Sequence, residues 1–177
     1  MKKSITSSLL LANVLLAAST FAADTKPVAD TKLEVGIGIQ GDSEGSDSDS
    51  LNSNAGLLLQ VGYRLAPAYS VTGIYTYSQN VGIGGTNDET NINRFIANLN
   101  YDFIPEKTGS PYIFAGAGYE DFTNTPTDRD GMLVDVGVGY RYYFTDHIGA
   151  NVAVAGKFNL DHTDRAILMN AALNYRF

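Results

Sequence analysis

The last ten residues, 168–177, read LMNAALNYRF. Counting back from Phe177, one set is Tyr175, Leu173, Ala171, Met169 and Ile167, almost purely apolar. The intervening set, Arg176, Asn174, Ala172, Asn170, Leu168 and Ala166, is mostly polar or small. Strict period 2 is the mark of a β-strand whose two faces meet unlike surroundings. A helix would spread both sets around its surface.

The same alternation recurs upstream. From Lys32, LEVGIGIQ sets Leu33, Val35, Ile37 and Ile39 against Glu34, Gly36, Gly38 and Gln40. NAGLLLQVGYRL sets Leu57, Leu59, Val61 and Tyr63 against Leu58, Gln60, Gly62 and Arg64, and Ala66-Pro67 punctuates a tight turn. The third run places Tyr69, Val71, Gly73, Tyr75 and Tyr77 on one face. The fourth does so with Phe95, Ala97, Leu99, Tyr101 and Phe103. In the fifth, from Pro111, the outward set is Ile113, Ala115, Ala117 and Tyr119, and the inward set is Phe114, Gly116, Gly118 and Glu120. The sixth alternates Met132 through Phe144 against Leu133, Asp135, Gly137, Gly139, Arg141 and Tyr143. The seventh sets Ile148, Val152, Val154 and Phe158 against Asn151, Ala153, Lys157 and Asn159.

The count is eight runs, each about 9–13 residues long, and tilted strands of roughly 9–11 residues cross a bilayer. Most connections alternate between short or moderate (Ala66-Pro67, 104–110, 145–147) and long and polar (41–53, 79–91, 123–130). The last, near Asp161–Asp164, is short. Short turns on one rim and long loops on the other characterise outer-membrane barrels. Aromatics gather at the short-turn rim as an interfacial girdle should: Tyr63, Tyr69, Tyr101, Phe103, Tyr112, Tyr140, Tyr142, Phe144, Tyr175 and Phe177. A thinner set, Tyr75, Tyr77, Phe95, Tyr119, Phe122 and Phe158, marks the loop rim. The expected fold is all-β: an eight-stranded antiparallel up-and-down transmembrane β-barrel over residues 32–177.

The N-terminus points to the same compartment. Lys2 and Lys3 precede an apolar run, Leu9 to Ala18, and then Ser19-Thr20-Phe21-Ala22-Ala23. This is the order of a cleaved secretory signal peptide, read as residues 1–22 with Thr20 and Ala22 at the small positions. The apolar run is about half the roughly 20 residues of a spanning helix. Residues 23–31 read as a short periplasmic tail. Removing Lys2 and Lys3 takes the net charge from −7 to −9. Such acidity argues against nucleic acid, whose binders carry a basic footprint. With no Cys there is no disulfide framework, thiolate chemistry or Cys-based zinc site.

If the apolar face meets lipid, the other face fills the lumen. Its ionisable members are Glu34, Arg64, Arg94, Asp102, Glu120, Asp135, Arg141, Lys157 and Arg176, a near-balanced set. Enclosed charges are costly unless paired and hydrogen-bonded, so an ion-pair network across facing strands is expected. In it, Arg141 pairs with Asp135 or Glu120, and inward glycines leave room for long Arg side chains and equally for water. Eight strands make a barrel that side chains can fill, which favours a polar, largely plugged lumen over a small pore for ions or solutes.

Other candidates are weaker. GDSEGSDSDSLNSN (41–54) gathers Asp42, Glu44, Asp47 and Asp49 in a Ser/Gly-rich stretch, read as a solvated external acidic loop. It lacks the spacing and closing Glu of an EF-hand, so no metal site is expected. Asp88-Glu89 and Asp128-Arg129-Asp130 extend this acidic rim, which leaves a role in bridging divalent cations to lipopolysaccharide open. His162, among Asp161, Thr163, Asp164 and Arg165, lies in a turn with no Ser nucleophile motif, so no catalytic site is assigned. His147 reads as turn chemistry, and GIG and GAG lack the strand–helix context of a phosphate loop. No cofactor is expected.

These features resemble the small eight-stranded outer-membrane barrels of the OmpA-like and OmpX-like, or porin-family, type. The carriers are the signal segment, the eight alternating runs, SPYIFAGAGYEDF (110–122), GVGYRYYFTDHIGANVAVAGKF (137–158) and the terminal Tyr175-Arg176-Phe177. The resemblance spans essentially the whole mature chain. It implies an integral outer-membrane protein, a monomer in contact with lipid and lipopolysaccharide. It further implies that Tyr175 and Phe177 form an end read by the barrel-assembly machinery. It is weak for activity: the expected role is structural or surface-interacting, with a small pore second and a lipid-modifying enzyme third. Because no peptidoglycan-binding domain follows the barrel, cell-wall anchoring is not implied.

Overall fold

The computed structural model describes residues 33–44, 52–82, 89–105, 108–123, 130–161 and 165–177. The expected signal segment and periplasmic tail, Asp47, Asp49, Asp88, Asp128, Arg129 and His162 lie outside them. Among these residues are eight strands: β1 (Leu33–Glu44), β2 (Asn52–Ala66), β3 (Tyr69–Gly82), β4 (Glu89–Asp102), β5 (Gly109–Thr123), β6 (Gly131–Tyr143), β7 (Ile148–Asn159) and β8 (Arg165–Arg176). Each pairs antiparallel with its neighbours, and β8 returns to β1, closing the barrel. Closure leaves no free edge, so every ladder N–H and C=O finds a partner without water. No helix among the described residues is long and apolar enough to cross a membrane; the strands provide the crossing.

The period-2 pattern becomes two surfaces. The outward wall is apolar, with Ile39 64%, Val138 60% and Leu173 60% exposed. So large an exposed apolar area marks a membrane surface. Tyr63, Tyr69, Tyr101, Phe103, Tyr140, Tyr142, Phe144, Tyr175 and Phe177 ring the turn rim, all exposed. They pack as neighbours there, with Tyr69–Tyr101 centroids 5.2 Å apart and Tyr142–Phe144 5.3 Å.

Two aromatics depart from the expected girdle. Tyr112 is only 5% exposed and points into the lumen. Phe122 is half-buried and shares the inward phase of Phe114 and Glu120. Both follow from the parity of β5: with Ile113 outward, even positions must face inward.

The strands run further towards the loop rim than their apolar stretches do. β1 reaches Glu44, and β3 and β4 remain paired as far as Gly82↔Glu89. Asp42 and Glu44 are therefore strand residues rather than members of an external loop, and Asp42 is 4% exposed. Composition read the Ser/Asp/Gly stretch as loop, but the β1–β2 ladder continues through Asp42↔Asn54. Here the strands have left the apolar belt, so polar outward residues no longer signal their end.

The turn rim is held by local bonds. Arg64 Nη1 donates to Pro67 O (2.8 Å), beside the register shift between Arg64 and Ala66. Thr145 Oγ1 accepts from Ile148 N (2.9 Å), a hydroxyl-capped turn. His147 does more than shape this turn. Its ring stacks on Tyr175 at 5.8 Å, and its carbonyl accepts from Arg176 N (2.7 Å), tying the β6–β7 turn to the last strand.

Candidate functional site: the filled lumen

All nine ionisable residues expected in the lumen occupy inward positions on seven strands. Eight of them form two charged groups separated by a middle layer, and Asp135 joins neither.

Towards the loop rim the centre is Arg94 on β4, 1% exposed. Arg94 and Glu120 face each other in the β4–β5 register, and Arg94 Nε donates to Glu120 Oε2 (2.6 Å). Its Nη1 donates to Gln40 (2.6 Å) and its Nη2 to Asp42 (3.0 Å), both on β1. Because β1 lies three strands from β4, these bonds cross the lumen. Lys157 on β7 adds bonds to both Glu120 oxygens (2.9 and 3.0 Å). Two cations thus balance two carboxylates. Such charge-assisted contacts are what make enclosed charges tolerable.

Towards the turn rim the geometry differs from the expected pairing. Arg141 meets Asp102 (3.2 Å) rather than Asp135 or Glu120, with its guanidinium 5.0 Å from the centre of the Tyr112 ring. Arg141 lies six positions along β6 from Asp135. At about 3.3 Å per residue that is roughly 20 Å, too far for a pair. Arg64 also approaches Asp102, at 3.9 Å. Glu34 accepts from the Tyr143 hydroxyl (2.5 Å) and lies 3.8 Å from Arg176, whose guanidinium covers the Tyr143 ring at 3.7 Å. Arg64 and Arg176 reach solvent at the rim.

Between the groups lies an apolar cluster of Ile96, Tyr112, Phe114, Leu133, Ala153, Ala155 and Leu168, with Ile74 packed against it. Amides fill the adjoining space. Gln60 Nε2 donates to Asn151 (3.0 Å) and Asn174 (2.5 Å), and Asn174 Nδ2 donates to Asn151 (2.8 Å). Asn100 Nδ2 donates to Thr72 Oγ1 (2.9 Å). The inward glycines make room for this filling, not for long Arg chains. Tyr112 sits opposite Gly139 and Phe114 opposite Gly137, where an added Cβ would strike the ring. One cavity among Gln60, Asn98, Asn100, Tyr112, Arg141 and Asn151 leaves about 20 Å³ for the centre of a water molecule. That is room for on the order of one or two waters.

Sequence reasoning missed Asp42, Gln40, Tyr112 and the amides as members of this site. The signal was present: Gln40 and Asp42 continue the even-numbered phase that begins at Glu34. A charge inventory alone passes over amides. Among the described residues no cluster of three His, Asp or Glu side chains is placed to hold a metal ion. The arrangement can fill and brace a lumen.

Comparisons with known proteins agree with this architecture. Residues 8–177 match the outer membrane protein beta-barrel domain family. A stretch of 58 residues is 31% identical to outer membrane porin F of Pseudomonas aeruginosa, covering 30% of this chain and 17% of that protein. The chain therefore aligns with only a small part of that relative. Neisserial surface protein A superposes with a TM-score of 0.67 at 15% identity, over 82% of this chain and 97% of the other. OprG of Pseudomonas aeruginosa superposes at 0.63 and 14% identity, over 83% and 96%. Ail, the attachment invasion locus protein of Yersinia pestis, superposes at 0.60 and 15% identity, over 84% and 99%. At these identities the likeness is one of fold. By its own sequence, the chain belongs to the outer membrane protein β-barrel family, whose members are integral to the outer membrane.

Proposed function

We propose that this barrel serves as a non-enzymatic structural or surface-interaction protein of the outer membrane, with a lumen closed to solute flow. The observation that supports this reading is a stack of three layers of inward side chains. Arg94 bridges β4 to β1 near the loop rim, Phe114, Leu133 and Leu168 pack in the middle, and Arg141–Asp102 links β6 to β4 towards the turn rim. The cavity among Gln60, Asn98 and Arg141 has room for on the order of one or two waters, which supports this reading. In this reading the apolar wall and its girdles are partnered by lipid, with lipopolysaccharide in the outer leaflet, and the barrel works as a monomer. The polar connections at the loop rim are the surface left for recognition. Among proteins of like fold, Ail is called an attachment invasion locus protein, a role of the same class.

The second reading is a narrow pore, favoured by the amide-lined cavity. Single-channel recording in a planar bilayer separates the two, once heat-modifiable gel mobility has verified the refolded barrel. The closed reading expects a silent bilayer. Steady openings in the unmodified protein would replace it with the pore.

A further inference from the structure

One lumen carboxylate stands apart. Asp135 on β6 is 5% exposed, and no cation among the described residues lies within ion-pair distance of it. Its Oδ2 accepts a long bond from Asn98 Nδ2 (3.4 Å), and its Oδ1 has no partner. Asn98 on β4 is 3% exposed, and its own Oδ1 is also unpartnered. Gly116 lies between them in register with both, so the Asn98 amide passes over a residue without a side chain to reach Asp135. Among the described residues no protein donor reaches either of these two buried acceptors on a touching acid and amide. Native interiors rarely leave such oxygens unmet.

The surrounding charges do not supply the match. Lys157 on β7 is the register partner of Asp135, yet its ammonium binds both oxygens of Glu120 on β5. Arg94 on β4 is committed to Glu120, Asp42 and Gln40. Among the described residues those two cations and two carboxylates already sum to zero, and Arg141 lies far down the same strand with Asp102. An ionised Asp135 would be a surplus buried charge, which is strongly unfavourable without a partner.

We propose that Asp135 and Asn98 form a binding site for one positive charge inside the lumen, either a proton or an alkali cation held by their unpartnered oxygens. As a proton it sits on Asp135 Oδ1 and is donated to Asn98 Oδ1. With the existing Asn98 N–H bond this makes a two-point acid–amide ring. As a cation such as sodium it is ligated by both oxygens. Either occupant neutralises the carboxylate, so the mid-depth seal carries a chemically addressable charge that the two ion-pair groups lack.

The test is carbon NMR of the refolded full chain, carrying carboxyl-labelled Asp, in detergent micelles at neutral pH. Sodium chloride is exchanged for choline chloride at constant ionic strength. Asp135→Asn assigns the resonance by its loss. A Cγ shift of the acid form, unmoved by sodium, identifies a bound proton. A carboxylate shift that moves on replacing choline by sodium, with the response lost in Asn98→Ala, identifies an alkali cation. A carboxylate shift indifferent to sodium overturns the proposal. If Asp135→Asn fails to refold, assignment through the bonded neighbours Val134 and Val136 gives the same reading.

Discussion

Arg94 binds three groups from two walls of the barrel, and its effect can be separated from that of the rim charges. Replacing it with Ala leaves Asp42 buried with no cation among the described residues, while Glu120 keeps Lys157. Breaking a buried pair by removing one partner costs roughly 3–5 kcal/mol. Arg94→Ala should lower barrel stability by that order, read as a shift in urea unfolding from lipid vesicles. Arg176→Ala at the partly exposed turn rim should cost about 1 kcal/mol or less, because water screens its 3.8 Å approach to Glu34. Equal losses in the two variants would mean that the Arg94 group is no better shielded than the rim. The inward position of Arg94 was legible from alternation alone. Its partner Asp42 was not, because that residue sits in a stretch whose composition imitates a loop. Choosing partners also requires the register between strands, which one sequence does not state.

At the level of the strands, large inward residues face glycines across the β5–β6 ladder, which lets two aromatic rings fit a narrow lumen. Tyr112 lies against Gly139, and Phe114 against Gly137. Gly139→Val would drive a branched side chain into the Tyr112 ring, whose atoms already occupy the space of a Cβ. Overpacking a filled interior costs about 1–3 kcal/mol, and the loss should be largely recovered in the double variant with Tyr112→Ala. Additive losses would show that the two positions do not share that space. The opposite face answers to lipid. Val138, 60% exposed near the middle of β6, should tolerate Leu. Val138→Arg should lose roughly 2–4 kcal/mol, as charges do at a bilayer midplane. An unchanged unfolding midpoint would remove β6 from the membrane. The number, order and phase of the strands were legible because lipid demands apolar residues at every second position. Strand ends were less so: past the apolar belt that demand lapses, and hydrogen bonding carries the ladder on without a compositional mark. The assignment of Tyr112 to the girdle failed for a related reason, since a Tyr suits both an interface and a filled lumen beside glycine.

Across the whole molecule, closure depends on β8, which meets β7 on one edge and β1 on the other. The final residue adds little to that closure through its side chain. Phe177 donates its N–H to Leu33 O (2.9 Å), a bond any residue except proline could make, and its ring is 62% exposed beside Tyr175. Folding alone therefore gives no strong reason for an aromatic at this position, and the resemblance to small outer-membrane barrels implies another, recognition during assembly. Phe177→Ala separates the two. Loss of the edge-on contact with Tyr175 should cost about 1 kcal/mol. The purified variant should then refold into vesicles with the same heat-modifiable mobility as the unmodified protein. If β8 is read during insertion as that resemblance implies, the amount reaching the outer membrane in cells should fall several-fold. A variant that refolds poorly in vitro would make Phe177 a structural residue. One that refolds normally and also accumulates normally in cells would show that the assembly signal lies elsewhere in the chain.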